Sequence, residues 1–235
     1  MPRTKLVVKL AHEDIKKTGS AFDLPIAIAL LGASEQLPAP EKLQDYLIMG
    51  ELGLDGSVQP IKGALPIAIQ ARKEQFKGLI VPKANEREAG MVSQLKVYGV
   101  SHLKELVAFF KDESTLSPVQ VNTREEFFFS QYDFDIDFAD VRGQENIKRA
   151  LEIAAAGAHN AILIGPPGAG KTMLAKRMPT ILPPLTLQEA LETTKIHSVA
   201  GKLAVNASLI NKRPFRSPHH TISDMALVGG GSSPQ

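Results

Sequence analysis

Residues Ala161–Thr172 read AILIGPPGAGKT, and this stretch decides how the chain is organised. Its last eight residues, Gly165, Pro166, Pro167, Gly168, Ala169, Gly170, Lys171 and Thr172, fit the spacing G-x-x-x-x-G-K-[ST]. Glycines let a backbone fold tightly around an anion with no Cβ in the way. Successive N–H groups then point inward, and a helix starting there adds its positive N-terminal end. Lys171 would bridge β and γ phosphates as a point charge, and Thr172 would offer its hydroxyl to Mg²⁺. With glycine near 7% of residues, such a match arises by chance in roughly one chain of this size in a hundred. Context therefore matters: AILI reads as a short apolar strand and the residues after Thr172 as a helix, the order this loop requires.

Just upstream, Gln144–Ala156 (QENIKRALEIAAA) reads as an alanine-rich helix ended by Gly157. Tyr132–Asp140 (YDFDIDFAD) alternates apolar residues with aspartates. That predicts an extended segment packing Phe134, Ile136 and Phe138 on a neighbour, with Asp133, Asp135 and Asp137 facing solvent. Residues 112–131 show no sustained period and read as a linker in which Phe127–Phe129 can pack on either side. The chain thus divides into 1–112, a linker over 113–131, and 132–235.

The first part alternates strand-like and helix-like runs. Leu6–Leu10 reads as a strand, and Phe22–Leu31 as a buried helix that starts near Asp23, because Pro25 is tolerated only in a first turn. Within Ile48–Ile61, Asp55-Gly56 between two apolar runs predicts a hairpin with a type I′ turn. Residues 64–76 read as a helix burying Leu65, Ile69 and Phe76. Strands at Leu79–Val81 and Leu95–Val100 and helices at 84–93 and Leu103–Lys111 complete an α/β or α+β pattern.

Composition narrows the functions available. The chain has 235 residues, 43% hydrophobic and 22% charged, which is ordinary for a globular protein. It has no cysteine, which excludes disulfides, thiol catalysis and cysteine-ligated metals. No apolar run approaches the roughly 18 residues of a membrane helix, and the N-terminus lacks the apolar core of a secretory signal. The net charge of +2 is too small to argue for nucleic acid by itself. His12, His102 and His159 belong to no constellation, and the His219-His220 pair lacks the further ligands of a zinc site.

Several strings carry a family resemblance. They are Asp140–Glu145 (DVRGQE), Lys148–Gly157, the GPPGAGKT loop, Ile196–Gly201 (IHSVAG), Arg213–Ser223 (RPFRSPHHTIS) and Ala226–Gly231 (ALVGGG). The chain resembles the magnesium-chelatase-like AAA+ ATPases of the ComM/YifB type, densely over 133–235 and also through Gly19–Leu31 and Gly50–Gly63. The resemblance implies ATP and Mg²⁺ as cofactors, an adenine pocket near Val141, Gly143 and Gln144, a ring that is usually a hexamer, and a cytoplasmic protein. In ComM-type members the work is moving along DNA and migrating branched junctions. In true magnesium chelatases a related subunit drives Mg²⁺ into a porphyrin, and a non-catalytic binding module is a third alternative. The family's Walker B acid pair, sensors, arginine finger and helical lid have no counterpart in these residues, and the family has more strands ahead of Leu6–Leu10. An internal fragment that binds nucleotide without hydrolysing it is the expectation.

The first part resembles the proteolytic domain of Lon (ribosomal S5 domain 2-like). The fold class expected is therefore α/β, a Lon-protease-like domain followed by the start of a P-loop AAA+ domain. Lon-type proteases use a serine and a lysine, a chemistry that needs the base within hydrogen-bond reach. Ungapped alignment puts Ala21 at the serine position and Leu65 at the lysine position, with Ser20 and Lys62 nearby. A structural or partner-binding role is expected. Residues 193–223 contain Lys195, Lys202, Lys212, Arg213 and Arg216 and no Asp or Glu. Lys212, Arg213, Arg216, His219 and His220 are the candidate nucleic-acid contacts. A ring interface and a solvated loop are the alternatives.

Overall fold

The computed structural model describes residues 7–8, 21–38, 40–129, 134–204 and 209–218. It is an α/β chain that divides into two compact units. One comprises Met1–Thr123 with Thr193–Leu209; the other comprises Arg124–Glu192 with Ile210–Gln235. The expected strand Leu6–Leu10 lies outside the described residues, apart from Val7 and Val8, which are exposed and irregular.

The first unit is built on three parallel strands in the order β1 (Tyr46–Ile48), β4 (Gly78–Pro82), β5 (Lys96–Val100). β4 is central and buried along its whole length, which is why GLIVP is a continuous apolar run rather than an alternating one. Gly78 is required there: a Cβ would stand 2.8 Å from the Tyr98 ring and 3.0 Å from that of Tyr46. Helix α1 (Asp23–Ala33) admits Pro25 in its first turn and buries Leu24 and Ile28. These join Ile48, Val58, Ile80, Tyr98, Val100, Leu106 and Phe110 in one core. Each such side chain contributes about 1.5–3 kcal/mol when fully buried.

Beside the sheet, β2 (Glu51–Leu52) pairs antiparallel with β3 (Val58–Gln59). The hairpin is real, but its turn is not type I′. The Gly53 carbonyl accepts from Gly56 N–H at 2.9 Å, and of the two expected left-handed residues only Gly56 has a positive φ, 88°. Asp55 instead turns its carboxylate onto the Ser57 N–H (2.9 Å) and hydroxyl (2.6 Å), which widens the loop to Gly53–Ser57.

Helix α2 (Ala64–Lys73) is shorter than the spacing suggested, since Gln75 takes a left-handed φ of 60°. Its buried face is Ala64, Leu65, Ala68 and Ala71, while Ile69 and Phe76 are only half-buried. The expected helix over 84–93 splits into a 3-10 turn at Lys83–Asn85 and a short α3 (Glu86–Gly90). Helix α4 (Leu103–Phe110) starts on His102, whose Nδ1 accepts from Lys104 N–H at 3.1 Å.

In the second unit, the stretch expected to be a linker holds helix α5 (Thr123–Phe129), which buries Phe127. The segment expected to be extended closes at Phe138–Asp140 into a 3-10 turn, because Asp137 and Asp140 form a capping box. Phe138 is buried, Phe134 half-buried and Ile136 exposed; Asp135 and Asp137 face solvent, and Asp133 lies outside the described residues. Helix α6 (Glu145–Ala156) buries Leu151, Ala154 and Ala155. Gly157 follows it with φ −92°; the left-handed residue is Ala158 at 52°.

Helix α7 (Lys171–Ile181) begins directly after the glycine-rich loop, and α8 (Leu187–Val199) follows it. Ala161–Ile164 is not a strand. A strand exists only beside a hydrogen-bonding neighbour, and among the described residues of this unit no strand is formed. Leu163 packs on the core of Phe138, Val141, Leu151 and Leu174, while Ile162 and Ile164 are 83% and 87% exposed.

Candidate phosphate-binding site

The loop Gly165–Gly170 joins Ala161–Ile164 to the first turn of α7. Gly168 and Gly170 both have φ of 79°, so two of the fixed glycines are needed for their backbone angles. A Cβ at Gly168 would meet nothing within 4 Å, so conformation rather than space selects glycine there. The bend is held by Ala169 N–H to the Pro166 carbonyl at 3.3 Å. Gly170 is the residue before the helix, and its carbonyl accepts the Leu174 N–H at 3.0 Å. The N–H groups of the first turn of α7 have no carbonyl one turn back along the helix, which suits them to an anion.

Lys171 curls over the same loop. Its ammonium donates to the Gly165 carbonyl at 2.8 Å and the Pro166 carbonyl at 2.7 Å. A positive charge thus lies over exposed main chain at the mouth of the loop. Thr172 is exposed in the first turn of α7. Gly165, Pro166, Pro167 and Gly168 are exposed as well, with Ala169 and Gly170 half-buried. The backbone cradle, the cation and the hydroxyl fit a polyphosphate with its Mg²⁺.

The residues expected near adenine fall on one short segment. Gly143 and Gln144 both take left-handed angles, φ 67° and 58°, immediately before α6. The turn they make carries the Gln144 amide to the Ala169 carbonyl at 3.4 Å, so this residue stands against the glycine-rich loop. Val141, two residues before Gly143, is buried in the core with Leu174 of α7.

The candidate nucleic-acid contacts separate. Lys212 lies 5.4 Å from the centre of the Phe134 ring. Arg213 donates to the Pro183 carbonyl at 2.7 Å and stands 3.7 Å from Glu189. Arg216 is exposed. Lys195 and Lys202 belong to the other unit. His219 and His220 lie outside the described residues.

The motif reading missed Arg177, on the second turn of α7. Its guanidinium donates to the Asp137 carbonyl (2.9 Å) and to Asp140 Oδ2 (2.9 and 3.2 Å). The Asp137 N–H and then the Arg177 fork hold the Asp140 carboxyl below the usual aspartate range. Six positions separate Arg177 from Lys171, but 37 separate it from Asp140, so no local pattern joins the pair.

In the first unit, Leu65 is fully buried, where the resemblance to Lon places a lysine. Lys62 is exposed and lines a cavity of about 240 Å³ with Asn85, Glu88 and Ser198. Ser20 lies outside the described residues. None of the described helices is long and apolar enough to cross a membrane.

An α/β chain carrying a glycine-rich loop at a helix start is the class these features define. Residues 137–235 match the family described as "Magnesium chelatase, subunit ChlI", and residues 1–85 match "Subunit ChlI of Mg-chelatase". The chain is 45% identical to the uncharacterised protein YifB of Escherichia coli, over 99% of this chain and 44% of YifB. It is 40% identical to the competence protein ComM of Haemophilus influenzae, over 100% of this chain and 45% of ComM. A stretch of 98 residues, 42% of this chain and 20% of the relative, is 29% identical to the DNA repair protein RadA of Escherichia coli. The chain belongs to the magnesium-chelatase-like family of the ComM/YifB type. It spans less than half the length of YifB and ComM.

Proposed function

We propose that this chain is the ATP-binding portion of an AAA+ ATPase whose whole protein is a DNA-remodelling ring. The observation that carries the reading is the loop itself: two left-handed glycines and Lys171 at the start of α7. Gly165 to Lys171 would hold the phosphates, and the Thr172 hydroxyl would serve the Mg²⁺ that accompanies them. The metal, when bound, neutralises charge on the β and γ oxygens. Gly143 and Gln144 meet the base, and Val141, buried in the core with Leu174, supports that segment from within. Calorimetry on the 235-residue chain tests this. ATP binds the native sequence, and Lys171→Ala weakens it by at least about tenfold, the equivalent of one lost charged hydrogen bond. A folded chain that takes up no ATP overturns the proposal.

The DNA part rests on the relatives named for competence and DNA repair and on the acid-free segment 193–223. Within it, Arg216 is exposed, whereas Arg213 and Lys212 have partners inside their own unit. A gel shift at two salt concentrations reads this out, because phosphate contacts release counterions and weaken as salt rises. Salt-independent or absent binding favours the second reading, a motor for magnesium insertion into a porphyrin, which the family description supports.

The first unit is read as a Lon-like domain without protease chemistry. Buried Leu65 at the lysine position supports this. A fluorogenic peptide assay with Ser20→Ala and Lys62→Ala controls checks it, and cleavage sensitive to either change would sink it.

A further inference from the structure

Residues 137–144 have little regular structure to hold them. They comprise one 3-10 turn, Phe138–Asp140, and then two left-handed residues, Gly143 and Gln144. Yet on the proposed function this segment must hold a base at a fixed distance from the phosphate loop. Nucleotide recognition depends on that spacing, since a displacement of about 1 Å is enough to misplace a contact.

Two kinds of anchor are present. The apolar one is Phe138 and Val141, buried with Leu151 and Leu174. It resists separation but tolerates sliding, because apolar packing is not directional. The polar one is directional. Asp137 accepts from Ala139 N–H at 2.7 Å, and Asp140 accepts from Asp137 N–H at 3.0 Å, which closes the turn on itself. Arg177 then ties the closed turn to α7. Its Nε serves the Asp137 carbonyl and Asp140 Oδ2, its Nη2 serves the same carboxylate oxygen, and its Nη1 reaches the Met173 carbonyl at 3.4 Å. The Arg177 side chain is only 15% exposed, while its partner Asp140 is 46% exposed, so the guanidinium is held against the protein and the carboxylate stands at the surface.

One helix therefore carries both ends of the problem. Its first turn bears Lys171, and its second bears the fork that grips the 137–140 turn. We infer that Arg177, paired with Asp140, is a positioning residue that sets the base-contacting segment 141–144 at a fixed register against the phosphate loop. The inference rests on the nucleotide-binding reading above and deepens it. A lysine cannot replace the arginine here: one ammonium on a flexible stem does not hold a main-chain carbonyl and a carboxylate in one plane.

Inorganic tripolyphosphate separates this role from general stability, because it uses the loop and has no base. Calorimetry with ATP and with tripolyphosphate is run on the native 235-residue chain and on Arg177→Ala, Arg177→Lys and Asp140→Asn, each checked for a cooperative thermal transition. The native chain binds ATP more tightly than tripolyphosphate. Arg177→Ala loses about tenfold in ATP affinity and keeps its tripolyphosphate affinity within about twofold. Its preference for ATP over GTP narrows, and Arg177→Lys and Asp140→Asn move the same way by less. If Arg177→Ala does not fold, the two milder variants carry the test. Equal losses for both ligands, or no loss for either, overturn the inference. A native chain that binds neither ligand overturns the nucleotide reading itself, and a native chain that binds tripolyphosphate as tightly as ATP overturns the assignment of 141–144 to the base.

Discussion

Glu88 shows how much one side chain organises. It is 7% exposed and accepts from Leu65 N–H (2.9 Å), the Asn85 amide (3.1 Å) and the Ser198 hydroxyl (2.5 Å). It thereby caps the start of α2 from another element and holds the end of α8 within the same unit. Asn85 completes the arrangement by bonding both the N–H and the carbonyl of Ile61. Removing the carboxylate leaves a helix N–H and a hydroxyl buried without partners. Glu88→Ala should cost about 3 kcal/mol in urea unfolding, and Ser198→Ala about 1 kcal/mol. A Glu88→Ala loss below that of Ser198→Ala would contradict this account. Neither Glu88 nor Arg177 was legible in the sequence. The partners that give them their roles, Leu65, Ser198 and Asp140, lie 23, 110 and 37 positions away, and single-sequence patterns report only neighbours along the chain. The glycine-rich turn ahead of α7 was legible because it is eight consecutive residues, Gly165–Thr172.

Elements were legible where their determinants are local. β4, β5 and α4 fall within a residue or two of expectation, because β-branched runs bounded by turns and a helical spacing of Leu106 and Phe110 are short-range signals, whereas β1 (Tyr46–Ile48) was not among the expected strands. Ala161–Ile164 fails for the opposite reason: its apolar run is strand-like, but a ladder needs a partner that local composition cannot supply. α8 was not among the expected elements, although Thr186 and Glu189 stand ahead of it at capping-box spacing. Thr186 N–H and hydroxyl both donate to Glu189 Oε2, at 2.8 and 3.0 Å, and Glu189 N–H donates to Thr186 Oγ1 at 3.2 Å. Thr186→Ala should destabilise the chain by about 1 kcal/mol, with the faster amide exchange confined to residues 187–190. Faster exchange spread over the whole of α8 would show that the cap is not what starts the helix.

At the scale of the molecule, three exposed carboxyls add a common dependence on acid. Asp55 is held low by the Ser57 hydroxyl and N–H, Asp140 by the Asp137 N–H and then Arg177, and Glu189 by the Thr186 N–H and hydroxyl. A carboxyl with a depressed folded value stabilises fully above its unfolded value, about 4, and the contribution fades as pH falls below that through the depressed value. The contribution of these three groups should therefore be constant above about pH 5 and be lost below about pH 4. Asp140→Asn should show a smaller fall between pH 6 and pH 3 than the native chain; an identical fall would rule that carboxyl out as a contributor. The central claim concerns the backbone amides between residues 165 and 172. Backbone amide NMR of the 235-residue chain during an ATP titration reads them directly. The account predicts saturable shifts at Gly168, Ala169, Gly170, Lys171 and Thr172, with β1, β4 and β5 unmoved. Unshifted loop amides in a folded chain, or shifts confined to the strands, would contradict it.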